Sequence, residues 1–297
     1  RLPASPRALV VVVVAVVRIP RVADVSPRVG ATSDVDGRDA AARVPRIHRR
    51  HSSPMASLAR LARHLAPSEA SRASSEVAST SRGRASRVVA RAVTLYGSPG
   101  SRSPLVNWYA EEIGLEMRAR EPSDPTNPHP FSQVPALRDD DDGEGGELEL
   151  FESGAILSYL ADRYGGLDTP ATRARANAWI SWANATLDPV LFIENERGGV
   201  VDTGARDPEQ RRLRRLDDIL SDGRDWLLGD EFSVADVAVA SYLLYVPQFF
   251  QDVSFAPYPS VAKYMGRCAL RDAYGRAFGA SAQRFLVQKC VGFIEPA

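Results

Sequence analysis

The sequence predicts two folded regions of different class: an α/β domain over residues 93–168, then an all-helical domain over residues 169–297. Three observations predict this. Val93 to Tyr96 is a short apolar strand pattern, and Glu147 to Phe151 alternates polar and apolar residues with the period of a half-buried strand. Each is followed by a switch to helical spacing, the first at Ser103 and the second at Ser153. From Thr169 onward apolar residues recur at helical spacing only.

Residues 1–92 stand apart in composition. They hold 17 arginines, no lysine and six acidic residues, a charge of +11, while residues 93–297 hold 20 basic and 31 acidic residues, a charge of −11. The neutral whole is a basic leader on an acidic globule, and the globule offers no nucleic-acid surface. The apolar run from Ala8 to Val17 is half the ~20 residues a membrane helix needs, so no membrane span is expected. Met55 opens a passage in which Leu58, Leu61 and Leu65 share a helical face with Arg60, Arg63 and His64 around it. Ser- and Arg-rich sequence follows, with Glu69 and Glu76 as its acids; residues 1–92 are read as a disordered leader with the composition of an organelle transit peptide, the alternative being a disordered tail. The expected location is a plastid (chloroplast) or mitochondrion after cleavage, or the cytoplasm if the leader is not a signal. Met55 is the candidate start, leaving residues 1–54 as a further targeting signal or upstream sequence. Cys268 and Cys290 have no metal or redox spacing and suit a reducing compartment.

In the α/β region, Gly97-Ser98-Pro99-Gly100 breaks the first strand. Ser103 is the expected N-cap of a helix with Pro104 at its first position, and Leu105, Trp108, Tyr109 and Ile113 form its apolar face. Ser101 therefore sits in the strand-to-helix turn. A Pro-rich loop leads to Val134-Pro135, read as the start of a strand because proline cannot pair within a central one. The acidic run Asp139 to Asp142, with Gly143, Gly145 and Gly146, is read as a solvated hairpin turn, since a calcium loop needs stricter ligand spacing. The residues thus read β, α, loop, β, β, α. In the closing helix Ile156, Tyr159, Leu160 and Tyr164 share a face and Gly165-Gly166 ends it, which makes Ser153 the expected N-cap. The free N–H groups of that first turn suit a carboxylate, and Glu152 beside them suits an ammonium group. A site offering both fits the α-amino and α-carboxyl ends of an amino acid.

In the helical region Trp179, Trp182, Ala183 and Thr186 line one face, and Asp188-Pro189 kinks or interrupts the helix. Asp207-Pro208 is the expected cap of the next helix. Ser233 and Asp236 form an S-x-x-D capping box before an apolar helix, with Phe232 as its staple, so Asp236 is read as a cap rather than a catalytic acid. Tyr258, Val261 and Tyr264 begin a last helix, and residues 285–297 form a tail.

VPAL at residues 134–137, followed by FESGAILSYLADRYG at 151–165, resembles the glutathione-binding, thioredoxin-like domain of glutathione transferases. LYGSPGSRSPLVNWYAEEIG at 95–114 is most similar to the cyanobacterial, chi-like members of the Ser-type, and the Ser233 box resembles the family's buried helix. The resemblance spans Val93 to Phe278. It implies a thioredoxin-like βαβ-ββα domain, a homodimer, glutathione as co-substrate with no metal, and conjugation of its thiolate to hydrophobic electrophiles in detoxification. It also implies site residues: Pro135 in cis, the Val134 backbone on the cysteinyl unit, Glu152 and Ser153 on the γ-glutamyl end, and Gln133 on the glycyl carboxylate. His129 and Ser132 stand where the family usually has Asn and Gly, so Ser132 matters if that position needs positive φ.

Conjugation needs a thiolate, which a hydroxyl donor and a helix N-terminus stabilise. Of Tyr96, Ser98, Ser101 and Ser103, the last is expected to be spent as a cap. Tyr96 matches the catalytic tyrosine of animal-type classes. Ser101 matches the serine of the Ser-type and is preferred because it lies in the turn beside the helix start. Arg102 either adds positive potential or faces solvent, and Trp179 and Trp182 either wall an electrophile pocket or belong to the core. Members that reduce disulfides carry cysteine in the first turn, where this chain has serines. The alternative is a non-catalytic protein of the same fold that binds hydrophobic ligands or docks in an assembly.

Overall fold

The computed structural model describes residues 92–295, so the expectations for the leader fall outside the described residues. Strand β1 (Val93–Tyr96) is buried along its whole length, as a central strand must be. It is followed by α1 (Ser103–Glu112), β2 (Met117–Arg120), β3 (Ala136–Asp139), β4 (Leu148–Phe151) and α2 (Ser153–Arg163). The sheet runs β2-β1-β3-β4, with β2 parallel to β1 and the other neighbours antiparallel. This is the thioredoxin-like βαβ-ββα order. Residue patterning did not place β2, and the reason is physical: Met-Arg-Ala-Arg is a largely exposed edge strand with no buried face to leave a period in the sequence.

The acidic turn is only partly solvated. Asp139 belongs to β3, is fully buried, and accepts hydrogen bonds from the Tyr159 hydroxyl at 2.8 Å and from that of Tyr164, fastening α2 to the sheet. Beyond it the chain turns in solvent, where the Asp142 carboxylate accepts the N–H groups of Glu144 and Gly146.

The second domain is helical: α3 (Pro170–Trp182), a π-helical turn (Ala183–Leu187), α4 (Asp188–Leu191), α5 (Arg211–Leu220), α6 (Val234–Phe249), α7 (Pro259–Ala269), α8 (Asp272–Phe278) and α9 (Ala280–Ile294). One addition is a ribbon of β5 (Ile193–Glu194) and β6 (Val200–Asp202), closed by Asn195 Oδ1 on the N–H groups of Arg197 and Gly199. Gln210 rather than Asp207 caps α5, its Oε1 accepting the Arg212 N–H. The stretch read as a tail is α9, which buries Leu286, Cys290 and Phe293 at helical spacing.

Helix α6 is the centre of this domain and opens on the expected Ser233–Asp236 capping box. Asp236 is fully buried and accepts from the Ser233 and Leu227 N–H groups, both at 2.9 Å, and from the Tyr264 hydroxyl at 3.1 Å. The two domains share one core. Trp108 of α1 is 0 % exposed and packs against Phe232, Tyr274 and Phe278, while Glu112 receives Arg271 at 2.6 and 2.7 Å. Among the described residues no helix is long and apolar enough to cross a membrane.

Candidate functional site

Strand register assembles the site. Tyr96 lies opposite Ala136, and Ala136 opposite Phe151. The turn after β1, the Val134-Pro135 step before β3 and Glu152 after β4 therefore meet at one end of the sheet. Between them is a cavity of about 210 Å³ lined by Ser101, Arg102, Gln133, Val134, Pro135, Glu152 and Ser153, together with Ser98, Gly100 and His129. Tyr96 is not part of it. Its side chain is 2 % exposed and its hydroxyl is hydrogen-bonded to Thr126 Oγ1 at 2.9 Å.

Both helix starts differ from expectation by one residue. The N-cap of α2 is Glu152, at φ 69° and ψ 121°, and Ser153 is the first helical residue. The left-handed turn at Glu152 lets its carbonyl accept the Ile156 N–H at 3.0 Å and leaves Ser153 in the first turn, facing the cavity. Positive φ at a non-glycine residue is strained, and strain of this kind gathers at ligand clamps. Ser132 is also left-handed, at φ 53°, the conformation that favours glycine at that position. The Val134-Pro135 peptide is cis.

At α1 the N-cap position is Arg102, and Ser103 is not the cap. Ser101 Oγ accepts the Ser103 N–H at 3.1 Å, lies 2.7 Å from Ser103 Oγ and donates to the Ser98 carbonyl at 2.9 Å. Ser103 Oγ in turn accepts the Ser98 N–H at 3.3 Å. Glycine is required at 97 for this packing, because a Cβ there would sit 2.2 Å from Ser103 Oγ. Ser101 is thus held in a network but stays on the cavity wall, while Ser103 is buried behind it.

A second cavity, of about 240 Å³, lies on the other side of Ser101. It shares Gly100, Ser101 and Arg102 with the first and is walled by Asp188, Phe192, Glu194, Tyr242, Tyr245 and Phe249 of the helical domain. Arg102 does not face open solvent. It crosses the domain boundary to Asp188 at 2.6 Å and lies 5.2 Å from the centre of the Tyr242 ring. Burial works against its charge, but Tyr242 and Asp188 outweigh that and raise its pKa. Burial raises the Asp188 pKa against the pull of Arg102. Tyr245 donates to the Ser101 carbonyl at 3.4 Å. His129 is buried, which lowers its pKa, and its Nδ1 accepts the Phe131 N–H at 3.2 Å, shaping the loop before Pro135.

Trp179 and Trp182 line neither cavity; their rings pack on each other at 5.6 Å. The sequence pattern alone does not mark Asp188, Tyr242 and Tyr245: Asp188 lies in an Asp-Pro step through which the chain stays helical, and the two tyrosines lie in the apolar run of α6. Two tyrosines three residues apart in a largely apolar helix were the available signal. Cys268 and Cys290 are fully buried, which raises both thiol pKa values, that of Cys290 to about 12. Among the described residues no group of His, Cys, Asp and Glu could hold a metal ion.

Fold and site together define a thioredoxin-like domain closed by a helical one around a cleft between them. The model of the glutathione S-transferase N-terminal domain matches residues 91–162, and that of the C-terminal domain residues 195–272. Glutathione S-transferase GstB of Escherichia coli is 33 % identical over 162 residues, 49 % of this chain and 73 % of that protein. The disulfide-bond oxidoreductase YfcG of the same organism is 33 % identical over 157 residues, 50 % of this chain and 72 % of that protein. A glutathione transferase family member from Pseudomonas fluorescens, crystallised with two glutathione bound, is 27 % identical with a TM-score of 0.52, covering 63 % of this chain and 92 % of that one. The chain belongs to the glutathione S-transferase family.

Proposed function

We propose that this chain is a Ser-type, chi-like glutathione transferase that joins the thiol of reduced glutathione to hydrophobic electrophiles in detoxification. One observation carries the reading: Ser101 lies on the wall of both cavities, one polar and one aromatic. In the polar cavity Glu152 takes the α-ammonium group, and Ser153 with the first N–H groups of α2 takes the α-carboxylate. The Val134 backbone pairs with the cysteinyl unit and Gln133 meets the glycyl carboxylate. That orientation carries the sulfur to Ser101 at the start of α1. The thiol proton leaves to solvent, and the Ser101 hydroxyl turns from the Ser98 carbonyl to donate to the sulfur anion. The thiolate then attacks an electrophilic carbon held among the aromatic rings. Arg102 adds positive potential between the two cavities.

Titration of the protein with glutathione, read by thiolate absorbance at neutral pH, tests this. Ionised glutathione in the parent and its loss in Ser101→Ala are expected. Glutathione that binds and stays protonated would instead make the chain a non-catalytic member that carries hydrophobic ligands or docks in an assembly. We also propose a homodimer, supported by the exposed rings of Phe131 and Phe151 packed at 6.4 Å on the first domain, and organelle targeting by residues 55–92, supported by their composition.

A further inference from the structure

The aromatic cavity carries charge that a purely apolar electrophile does not need. Two carboxylates, Asp188 and Glu194, line it against one guanidinium, Arg102. Arg102 is engaged by Asp188 Oδ2, which leaves the cavity one carboxylate in excess, and the Glu194 carboxylate makes no hydrogen bond or ion pair among the described residues. Asp188 itself is 8 % exposed, and its other oxygen, Oδ1, has no hydrogen-bond partner. A buried acceptor without a donor is costly unless a ligand supplies one. Around these groups the rings form a continuous wall: Tyr242 to Phe192 at 6.5 Å, Phe192 to Phe249 at 5.8 Å and Phe249 to Tyr245 at 6.3 Å. Ring faces are negative and attract organic cations. Burial raises the pKa of both carboxylates, and that of Glu194 rises further through the repulsion of Asp188, while Arg102 pulls both down.

We propose that this acceptor site selects compact aromatic electrophiles that bear a cationic group, with the ring among Phe192, Tyr245 and Phe249 and the charge against Glu194 and Asp188. The proposal rests on the conjugation reading and names its substrate class. At about 240 Å³ the cavity accommodates a molecule of roughly one aromatic ring.

A matched pair of probes tests it: para-trimethylammonio-benzyl bromide and its neutral isostere para-tert-butylbenzyl bromide. In each, glutathione sulfur forms a bond to the benzylic carbon as bromide leaves, and each rate is divided by its rate with free glutathione. The normalised kcat/KM of the cation should exceed that of the isostere about tenfold, the range of a desolvated cation–aromatic contact with a carboxylate beside it. Glu194→Gln should lower the ratio several-fold, and Glu194→Asp, which keeps the charge, should retain most of it. Equal normalised rates in the parent would overturn the proposal and leave conjugation standing. If neither probe is turned over, calorimetric binding of the matching unreactive benzyl alcohols decides. Tighter binding of the cationic alcohol upholds the cation pocket while conjugation falls, and equal binding overturns it.

Discussion

In the proposed complex Ser101 faces the sulfur of the central cysteinyl unit and Ser153 the γ-glutamyl end, and their kinetic signatures differ for that reason. A donor to sulfur favours thiolate over thiol, so Ser101→Ala should raise the pKa of bound glutathione and lower kcat with little change in glutathione KM. Ser153 holds the unreactive end equally in ground and transition states. Ser153→Ala should therefore raise KM about ten- to a hundredfold, the worth of a charge-assisted hydrogen bond of about 1.5–3 kcal/mol, and leave kcat nearly intact. Tyr96, whose hydroxyl bonds Thr126 away from the cavity, supplies the control. Tyr96→Phe should be close to silent in stopped-flow measurements of thiolate formation. Loss of the thiolate in that variant, with Ser101→Ala unaffected, would transfer the role to the tyrosine.

Helix α6 depends on its cap. The Ser233–Asp236 box ties the helix start to the Leu227 backbone and to Tyr264 of α7. Ser233→Ala should cost about 0.5–2 kcal/mol in urea unfolding without changing the glutathione affinity of the folded fraction. A stable variant with lost turnover would contradict the structural role. Burial raises the Asp236 pKa to about 6 from an ordinary 3.8, with the donors from Leu227, Ser233 and Tyr264 opposing. A carboxyl raised on folding binds its proton more tightly in the native state. Its contribution to stability is therefore largest below the ordinary value and declines as pH rises through about 6. Relative to Asp236→Asn, which does not titrate, the parent should gain about 1 kcal/mol of unfolding free energy between roughly pH 7.5 and pH 5. A flat difference across that range would show that the carboxylate stays ionised throughout.

At the scale of the molecule, the domains are joined through Trp108, which belongs to the first by chain order and to the core of the second by contact. The two should therefore unfold in one transition, with far-ultraviolet and tryptophan signals coincident. Trp108→Ala should cost about 3–5 kcal/mol and separate the transitions, because it removes the ring both cores share. Two resolved transitions in the parent would show instead that the interface is weak. The basic leader is a matter of composition, and a fluorescent fusion of residues 55–92 should enter plastids or mitochondria. A uniformly cytosolic signal would end the targeting proposal.

Sequence by itself determined the elements with a regular buried face. The apolar run of β1, the Ile156–Leu160 face of α2 and the cap of α6 each leave a periodic or spaced signature, because one side of each element is removed from water. It also placed Glu152 and Ser153 together at a strand-to-helix switch, which exposes free N–H groups wherever it occurs and here lines the polar cavity. Tertiary structure decided what depends on register and on domain contact. The exposed edge strand β2 leaves no period, and the shift of the α1 cap from Ser103 to Arg102 follows from backbone angles that neither side chain encodes. The pairing of Arg102 with Asp188 joins residues 86 positions apart. No local pattern foretells such a pair, because its geometry exists only once α1 and α4 are packed across the cleft.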